Sequence, residues 1–330
     1  MAIDPNNTIL VSIIIPVYQA SKTLRQCVDS CLDQKDINPK EIELILIDDG
    51  SSDGSEIICD EYLNRLTDVR VRVKHTDNHG VSHARNTGID MAEGRFLVFV
   101  DSDDRVTTSY VSNLIKHADE ATLIVDETNS YDSAQKISGF HYIEESILNK
   151  NTHVWGKLFD AETIKAGNIR FPEGLTIGED LLFLIDLAIF IGKRRCIKCI
   201  PEENYIYNLN ENSAMHSSFK KSYMDQLVCW SKAGQKVESV KEYLSPFSMV
   251  SIAVSQILTA LLVIGKVATQ SGDRDENLDK LAVAESMAQI KKALKVRGSF
   301  AALSTGHKIK VILLKINPEL YLRLYARHKA

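Results

Sequence analysis

Three short, almost unbroken apolar runs limit what this chain can fold into. "LVSIIIPVY" (10–18), "IELILID" (42–48) and "RFLVFV" (95–100) are too short for well-formed helices and rich in β-branched residues. Runs of this kind predict strands buried on both faces, which occur in parallel sheets covered by helices. The intervening segments carry helical stripes. Leu24, Cys27, Val28, Cys31 and Leu32 recur on one helical face behind Ser21, a candidate N-cap. Ile58, Tyr62 and Leu66 mark a second helix, opened by Asp53 and Glu56 in capping-box spacing. Val81, Ala84, Gly88 and Ala92 give a small-residue face closed by Gly94. "VRVRVK" (69–74) alternates strictly and predicts a half-exposed edge strand. The β-α-β-α order points to an α/β protein with a mostly parallel sheet flanked by helices.

Ligands of such sheets bind beyond the carboxyl ends of the strands, where the strand order reverses. Three polar clusters fall there: Pro16-Val17-Tyr18, Asp48-Asp49-Gly50-Ser51-Ser52 and Asp101-Ser102-Asp103-Asp104. Asp101 and Asp103 lie two apart on an extended segment and point the same way. Oxygen donors so paired suit a hard cation, Mn²⁺ or Mg²⁺, which in turn relieves the repulsion among the aspartates. Such a cation neutralises a diphosphate leaving group. Arg85 and Asn86, on the preceding helix, are candidate donors to phosphate oxygens. Asp104 has a plainer alternative as cap of a helix at 108–118.

Composition removes several classes of function. A net charge of −5 offers no basic field for nonspecific nucleic-acid binding. The six cysteines are scattered, and Cys196 with Cys199 forms one C-x-x-C without a second pair, so buried free thiols are expected. "MAIDPNNTIL" has no basic start followed by an apolar run, and a cytoplasmic setting is expected. The uncharged stretch 245–265 is diluted by Ser245, Ser248, Ser251, Ser255, Gln256 and Thr259, and is read as a buried helix. In "HKIKVILLKINPELYLRLYARHKA" the cations Lys308, Lys310, Lys315, Arg323, Arg327 and Lys329 interleave with Ile, Leu and Tyr. That pattern fits either an anionic membrane surface or an ordinary packed terminal helix with a solvated basic face.

"VSIIIPVYQA", "ELILIDDGSSDGS", "GVSHARNTGI" and "EGRFLVFVDSDD", in this order, resemble the successive signatures of family 2 glycosyltransferases, which have the GT-A fold. The resemblance is close over 10–110 and weaker through "VWGKLF", "GEDLLF" and "SAMHSS". It implies an inverting, metal-dependent transfer of a hexosyl or N-acetylhexosaminyl group from a UDP-sugar. Tyr18 then stacks on the uracil within a wall shaped by Pro16 and Val17, and Asp49 accepts a hydrogen bond from the base. Asp48 supports the loop, and Arg85 faces the nucleotide. Asp103 is the principal metal ligand, with Asp101 near the ribose or metal and Ser102 in the same nucleotide-sugar subsite. His216 completes the metal shell or touches the diphosphate. Of the Glu179-Asp180 pair, Asp180 is the implied general base, although an acidic first helical turn accounts for both equally simply. Lys157 and Trp155 border donor or acceptor. Gln19 stands where many relatives have Asn, and His83 is bulky for its place. The Q-x-x-R-W motif of processive synthases is absent from the sequence, which favours single additions.

Residues 1–220 are expected to form the catalytic domain, with a nucleotide-sugar half at 10–110 and an acceptor half at 111–220. Within the latter, 127–153 reads as a flexible flap. Residues 221–330 read as helices over 221–243, 246–269, 275–296 and 307–329. This appendage covers the catalytic domain, mediates homo-oligomer formation or meets the inner face of the plasma membrane. The resemblance implies a glycan or lipid-linked acceptor, in capsule, exopolysaccharide or wall-glycan synthesis. Two rival readings are a sugar nucleotidyltransferase and a catalytically inactive nucleotide-sugar-binding module. The first needs a glycine- and arginine-rich loop after the first strand, and "PVYQASKTLRQ" has no glycine. The intact acidic residues weigh against the second.

Overall fold

The computed structural model describes residues 9–118, 121–126, 135–193, 196–202, 204–208, 219–270 and 275–329. The chain forms two compact units. The first comprises Met1–Ile143, His153–Gly174 and Asp186–Leu209, and the second Glu144–Thr152, Leu175–Ile185 and Asn210–Ala330.

The first half of unit one alternates as its apolar periods dictate. Its elements are β1 (Val11–Val17), α1 (Leu24–Leu32), β2 (Ile42–Asp49), α2 (Ser55–Leu63), β3 (Arg70–Thr76), α3 (Val81–Met91) and β4 (Phe96–Phe99). There follow β5 (Arg105–Val106), α4 (Tyr110–Ile115), β6 (Ala121–Asp126), β7 (Gln135–Ile137), α5 (Gly139–Glu145), β8 (Lys157–Asp160) and α6 (Ala161–Ala166). The series continues with α7 (Glu179–Ile191), β9 (Cys196–Ile200) and β10 (Tyr205–Ile206). One sheet has the order β3-β2-β1-β4-β8-β6-β9-β7, and β5 pairs separately with β10. β1 runs parallel to both β2 and β4, and β2 to β3, giving the expected α/β architecture. β8 enters antiparallel between β4 and β6.

Every residue of β1, β2 and β4 is buried, whereas β3 at the sheet edge is mostly exposed or half-buried. Helix α3 packs on β1 and β2. A Cβ on Gly88 would stand 2.3 Å from Ile14 Cγ2, so the missing side chain sets how closely α3 approaches the sheet. Polar groups at the far end of the sheet are paired as well. Ser12 donates to Glu43, whose carboxylate also accepts from the Glu93 amide and meets Arg72.

The second unit contains α8 (Asp225–Ser239), α9 (Pro246–Ala268), α10 (Glu276–Ala293), α11 (Ser299–Ala302), α12 (Thr305–Ile316) and α13 (Pro318–Lys329). α9 is long and apolar enough to cross a membrane by length and composition alone. Its Ile252, Ile257, Ala260, Val263 and Ile264 are instead buried in the unit's core, against α8, α10, α11 and α13.

Four local expectations need correction. The helix expected over 307–329 is two helices, because Pro318 lacks an amide donor and forces Asn317 into an extended conformation (φ −154°, ψ 98°). The segment 127–153 is not a featureless flap where it is described. Ile137, Phe140, Tyr142 and Ile143 are buried and anchor β7 and α5. Thr23, not Ser21, occupies the N-cap of α1, and the Ser21 amide donates to Asp53 instead. Asp104 does not cap α4, whose N-cap position is Ser109. Cys27, Cys31, Cys59, Cys199 and Cys229 are free and buried, as expected.

Gly88→Ala tests the α3–β1 approach. Alanine improves intrinsic helix propensity by about 1 kcal/mol, but its methyl collides with a fully buried isoleucine, and overpacking costs about 1–3 kcal/mol. Net destabilisation is expected in denaturant titration. A midpoint at or above wild type would show that the helix stands off the sheet.

Candidate functional site

Parallel register brings the strand ends together. Val17 is level with Asp48 and Asp49 with Thr76, while the Val100 amide continues the ladder onto the Ile14 carbonyl. The polar residues after β1, β2 and β4 therefore emerge along one edge of the sheet. Of the first cluster, Pro16 and Val17 are buried in the strand, so neither offers its side chain to a ligand wall. Tyr18 is 53% exposed and is the aromatic presented there.

The β1 and β2 loops are laced together. Gln19, with φ +50°, donates its backbone amide to Ser51 Oγ and its side-chain amide to Ser52 Oγ. The Ala20 amide donates to Ser55 Oγ, and the Ser21 amide to Asp53. Burial opposes ionisation of Asp53, but hydrogen bonds from Ser55 and Ser21 outweigh it and hold the carboxyl below its usual range.

The two aspartates of β2 differ in role. Asp48 accepts from the Ser51 amide and meets His75 Nδ1 at 2.7 Å, and this bond raises the His75 pKa despite partial desolvation. Asp48 thus supports its loop, as expected. Asp49 accepts from the His79 and Gly80 amides at 2.9 and 2.7 Å, pinning the turn before α3. Gly50 lies opposite that turn at φ +75°, where a Cβ would fall 2.8 Å from the Asn78 nitrogen.

The third cluster is the most constrained. Arg85 is 3% exposed, and its Nη2 donates to Asp101 Oδ1 at 2.9 Å, with its guanidinium 5.2 Å from the Phe171 ring centroid. The arginine therefore acts on the rim through Asp101. Asn86 is not a phosphate donor here: its side-chain amide exchanges two hydrogen bonds with the backbone of Phe171. Asp104 is 1% exposed and accepts from the Tyr205 hydroxyl at 2.8 Å and the Asn208 amide at 2.8 Å. The same hydroxyl accepts from the Asp101 amide, and the Asn208 side chain donates to the Asp103 carbonyl. Ser102 and Asp103 remain half-buried at the apex. Burial, with the charges of Asp101 and Asp103, lifts the Asp104 carboxyl to about 6 even against the bonds from Asn208 and Tyr205.

Tyr205 is itself held by an aromatic stack. Trp155 lies parallel to it at 4.6 Å, with His153 at 3.5 Å and the half-exposed Tyr207 at 5.9 Å from Trp155. Burial and the neighbouring Lys157 charge push the His153 imidazole far below its usual value. Lys157 is fully buried in β8, so it borders no open subsite. Sequence reasoning missed Tyr205, Asn208 and Gln19 as supports of the rim. Their partners lie up to about a hundred residues away, and no local pattern marks them.

Glu179 and Asp180 open α7 in the second unit, Glu179 buried and Asp180 half-buried. His216 lies outside the described residues. Among the described residues no group of three His, Cys, Asp or Glu side chains is arranged to hold a metal by itself. Asp101 and Asp103 supply hard oxygen donors, which fit a divalent cation only with further ligands from elsewhere, such as diphosphate oxygens.

Tyr205→Phe removes one hydroxyl and leaves two groups, the Asp104 carboxylate and the Asp101 amide, short of a partner. A stability loss of about 1–3 kcal/mol is expected, read from chemical denaturation. A change under about 0.5 kcal/mol would mean that the hydroxyl does not hold the rim.

Comparison with known proteins agrees with this frame. The profile described as glycosyl transferase family 2 matches residues 12–168. The glycosyltransferase EpsJ of Bacillus subtilis is 31% identical over 251 residues, covering 68% of this chain and 71% of EpsJ. Glycosyltransferase GlyG of Streptococcus pneumoniae is 30% identical over 241 residues, 66% of this chain and 77% of GlyG. The minor teichoic acid biosynthesis protein GgaB of B. subtilis is 32% identical over 238 residues, but the match spans only 26% of that larger protein. Among solved structures, residues 1–349 of Staphylococcus aureus TarS in complex with UDP-GlcNAc superpose with a TM-score of 0.55 at 19% identity, over 96% of this chain and 88% of that one. With its sheet order, its strand-end carboxylates and these relatives, the chain belongs to glycosyltransferase family 2 and has the GT-A fold.

Proposed function

We propose that the protein is an inverting glycosyltransferase that moves a hexosyl or N-acetylhexosaminyl group from a UDP-sugar to an acceptor hydroxyl. The observation that carries this reading is the braced acidic turn of Asp101 and Asp103 at the end of β4, with the exposed Tyr18 at the end of the neighbouring strand β1. Tyr18 stacks on the uracil. Asp49 fixes the loop around the base and keeps lone pairs for a base N–H, and Ser102 lies beside the sugar or ribose. Support for uridine comes from TarS, solved with UDP-GlcNAc and with UDP.

Mn²⁺ or Mg²⁺ would be held by Asp103, with Asp101, fixed by Arg85, as a further oxygen donor. The hard oxygen donors that these two side chains offer at the strand end support this reading. When bound, the cation supplies neutralisation of the diphosphate leaving group. His216 is a candidate additional ligand. Asp180 accepts the proton of the acceptor hydroxyl as that oxygen attacks the anomeric carbon from the face opposite UDP, which inverts the configuration. The proton moves as the new bond forms, so a carboxylate is a competent base, and positioned bases contribute roughly 10²–10⁴-fold.

The acceptor is a glycan or lipid-linked sugar in capsule, exopolysaccharide or wall-glycan assembly, a setting supported by the relation to GgaB. The helical second unit brings the enzyme to the cytoplasmic face of the membrane or to a second copy.

Asp103→Ala is expected to abolish the Mn²⁺-dependent part of UDP binding in calorimetry. Equal UDP affinity with and without Mn²⁺ in the wild type would remove the cation from the site. Asp180→Asn is expected to keep UDP-sugar affinity within about twofold while lowering transfer by roughly 10²–10⁴-fold. Wild-type turnover by this variant would take Asp180 out of the base role, and absence of turnover by the wild type across a UDP-sugar panel would favour a binding module.

A further inference from the structure

The last two helices show the same asymmetry twice. On α12, Val311 and Leu314 are buried, whereas Ile309, Ile312 and Ile316 stand on the opposite side at positions 0, 3 and 7, about half exposed to 75% exposed. On α13, Tyr321 is buried, and Leu320, Arg323, Leu324 and Arg327 recur at 0, 3, 4 and 7, all exposed. Large apolar side chains thus face water once per helical turn from 309 to 324. Water-facing isoleucines in such a row are costly unless something covers them.

The charges say what covers them. Residues 308–330 carry six lysines and arginines against the single carboxylate Glu319, in a chain whose net charge is −5. Lys310 is spent within the unit, its ammonium 5.2 Å from the Tyr325 ring centroid. Lys308 and Lys315 flank the isoleucine row, and Arg323 and Arg327 lie within the leucine row. A second copy of this face would set arginine against arginine. An anionic surface with an apolar layer beneath it complements both components at once. Each helix has 12 residues, about 18 Å, too short to span a bilayer and suited to lying in its plane.

We propose that α12 and α13 form a docking surface for an anionic lipid bilayer. Ile309, Ile312, Ile316, Leu320 and Leu324 enter the headgroup layer, and Lys308, Lys315, Arg323 and Arg327 pair with lipid phosphates. This rests on the membrane setting in the functional reading and names the residues that provide it. α9 takes no part, because most of its large apolar side chains, Phe247 and Leu262 excepted, are buried or packed in the unit's own core.

The test is co-sedimentation of the full chain with vesicles of phosphatidylcholine alone or with about a third phosphatidylglycerol, read without donor, acceptor or turnover. Failure here and failure of the glycosyltransferase reading are therefore separate results. Binding at least tenfold stronger to the anionic vesicles is expected, and it should weaken in 0.5 M salt as screening shortens. Ile312→Asp with Ile316→Asp should reduce binding to background. Arg323→Ser with Arg327→Ser should erase most of the lipid-charge preference, at about fivefold per cation. All four positions are exposed, and unchanged circular dichroism with unchanged UDP affinity would certify the variants. Equal binding to both vesicle types, or isoleucine variants that bind like wild type, would overturn the proposal. So would light scattering that shows a dimer dissolved by Ile312→Asp in a protein that ignores vesicles, which would assign the face to a second copy.

Discussion

Everything at the rim follows from strands that are buried on both faces. In β1, β2 and β4 every residue is buried, and apart from the mutually bonded Ser12 and Glu43 the polar side chains gather at the carboxyl ends of the strands. Parallel register then makes the ladders of these strands end along one edge. Carboxylates from separate parts of the sequence are crowded together there, where each would cost several kcal/mol if left desolvated and unpaired. The structure meets that cost one aspartate at a time. Asp49 takes backbone amides, Asp48 an amide and an imidazole, Asp101 a buried guanidinium, and Asp104 a hydroxyl and an amide.

The compensation is uneven, and the unevenness is informative. Asp104 is the best shielded, and burial together with its two acidic neighbours still lifts its carboxyl to about 6 against two good hydrogen bonds. A rim built only for stability would carry asparagine or serine there. Three carboxylates around a rigid turn are consistent with the proposed cation. The rigidity belongs to the same design. Tyr205 and Asn208 fix the turn from β10, and Trp155 stacks on Tyr205, so the apex is preorganised rather than assembled by the ligand.

Much of this was legible in the sequence for a simple reason. Strand burial and helix amphipathicity are local periodicities, so β1, β2, the edge strand β3 and the close-packed α3 could be read directly, as could the acidic residues beyond them. The family resemblance supplied roles. What stayed hidden was pairing at long range. Asn86 looks like a phosphate donor until Phe171, 85 residues on, takes both ends of its amide. Arg85 looks like a ligand until its burial shows it to be a strut. Pro16 and Val17 look like a wall until the strand is seen to enclose them. The split between α12 and α13 is a different kind of miss: apolar spacing runs unbroken through 307–329, and one proline overrides it.

The helical unit shows why apolar content alone misleads about membranes. α9 is the described helix long and apolar enough to cross a membrane, yet α8, α10, α11, α13 and the short turns at Ile147–Asn149 and Lys241–Tyr243 pack against it within its own unit. α12 and α13 are shorter and carry six cations, and a hydropathy scan passes over them. Five of their large apolar residues, Ile309, Ile312, Ile316, Leu320 and Leu324, nevertheless face water. Hydrophobicity states how much surface seeks cover, and only the fold states how much has already found it. The proposed bilayer contact of α12 and α13 rests on that distinction, because their cations lie among apolar residues that the fold leaves exposed, on a chain whose net charge is −5.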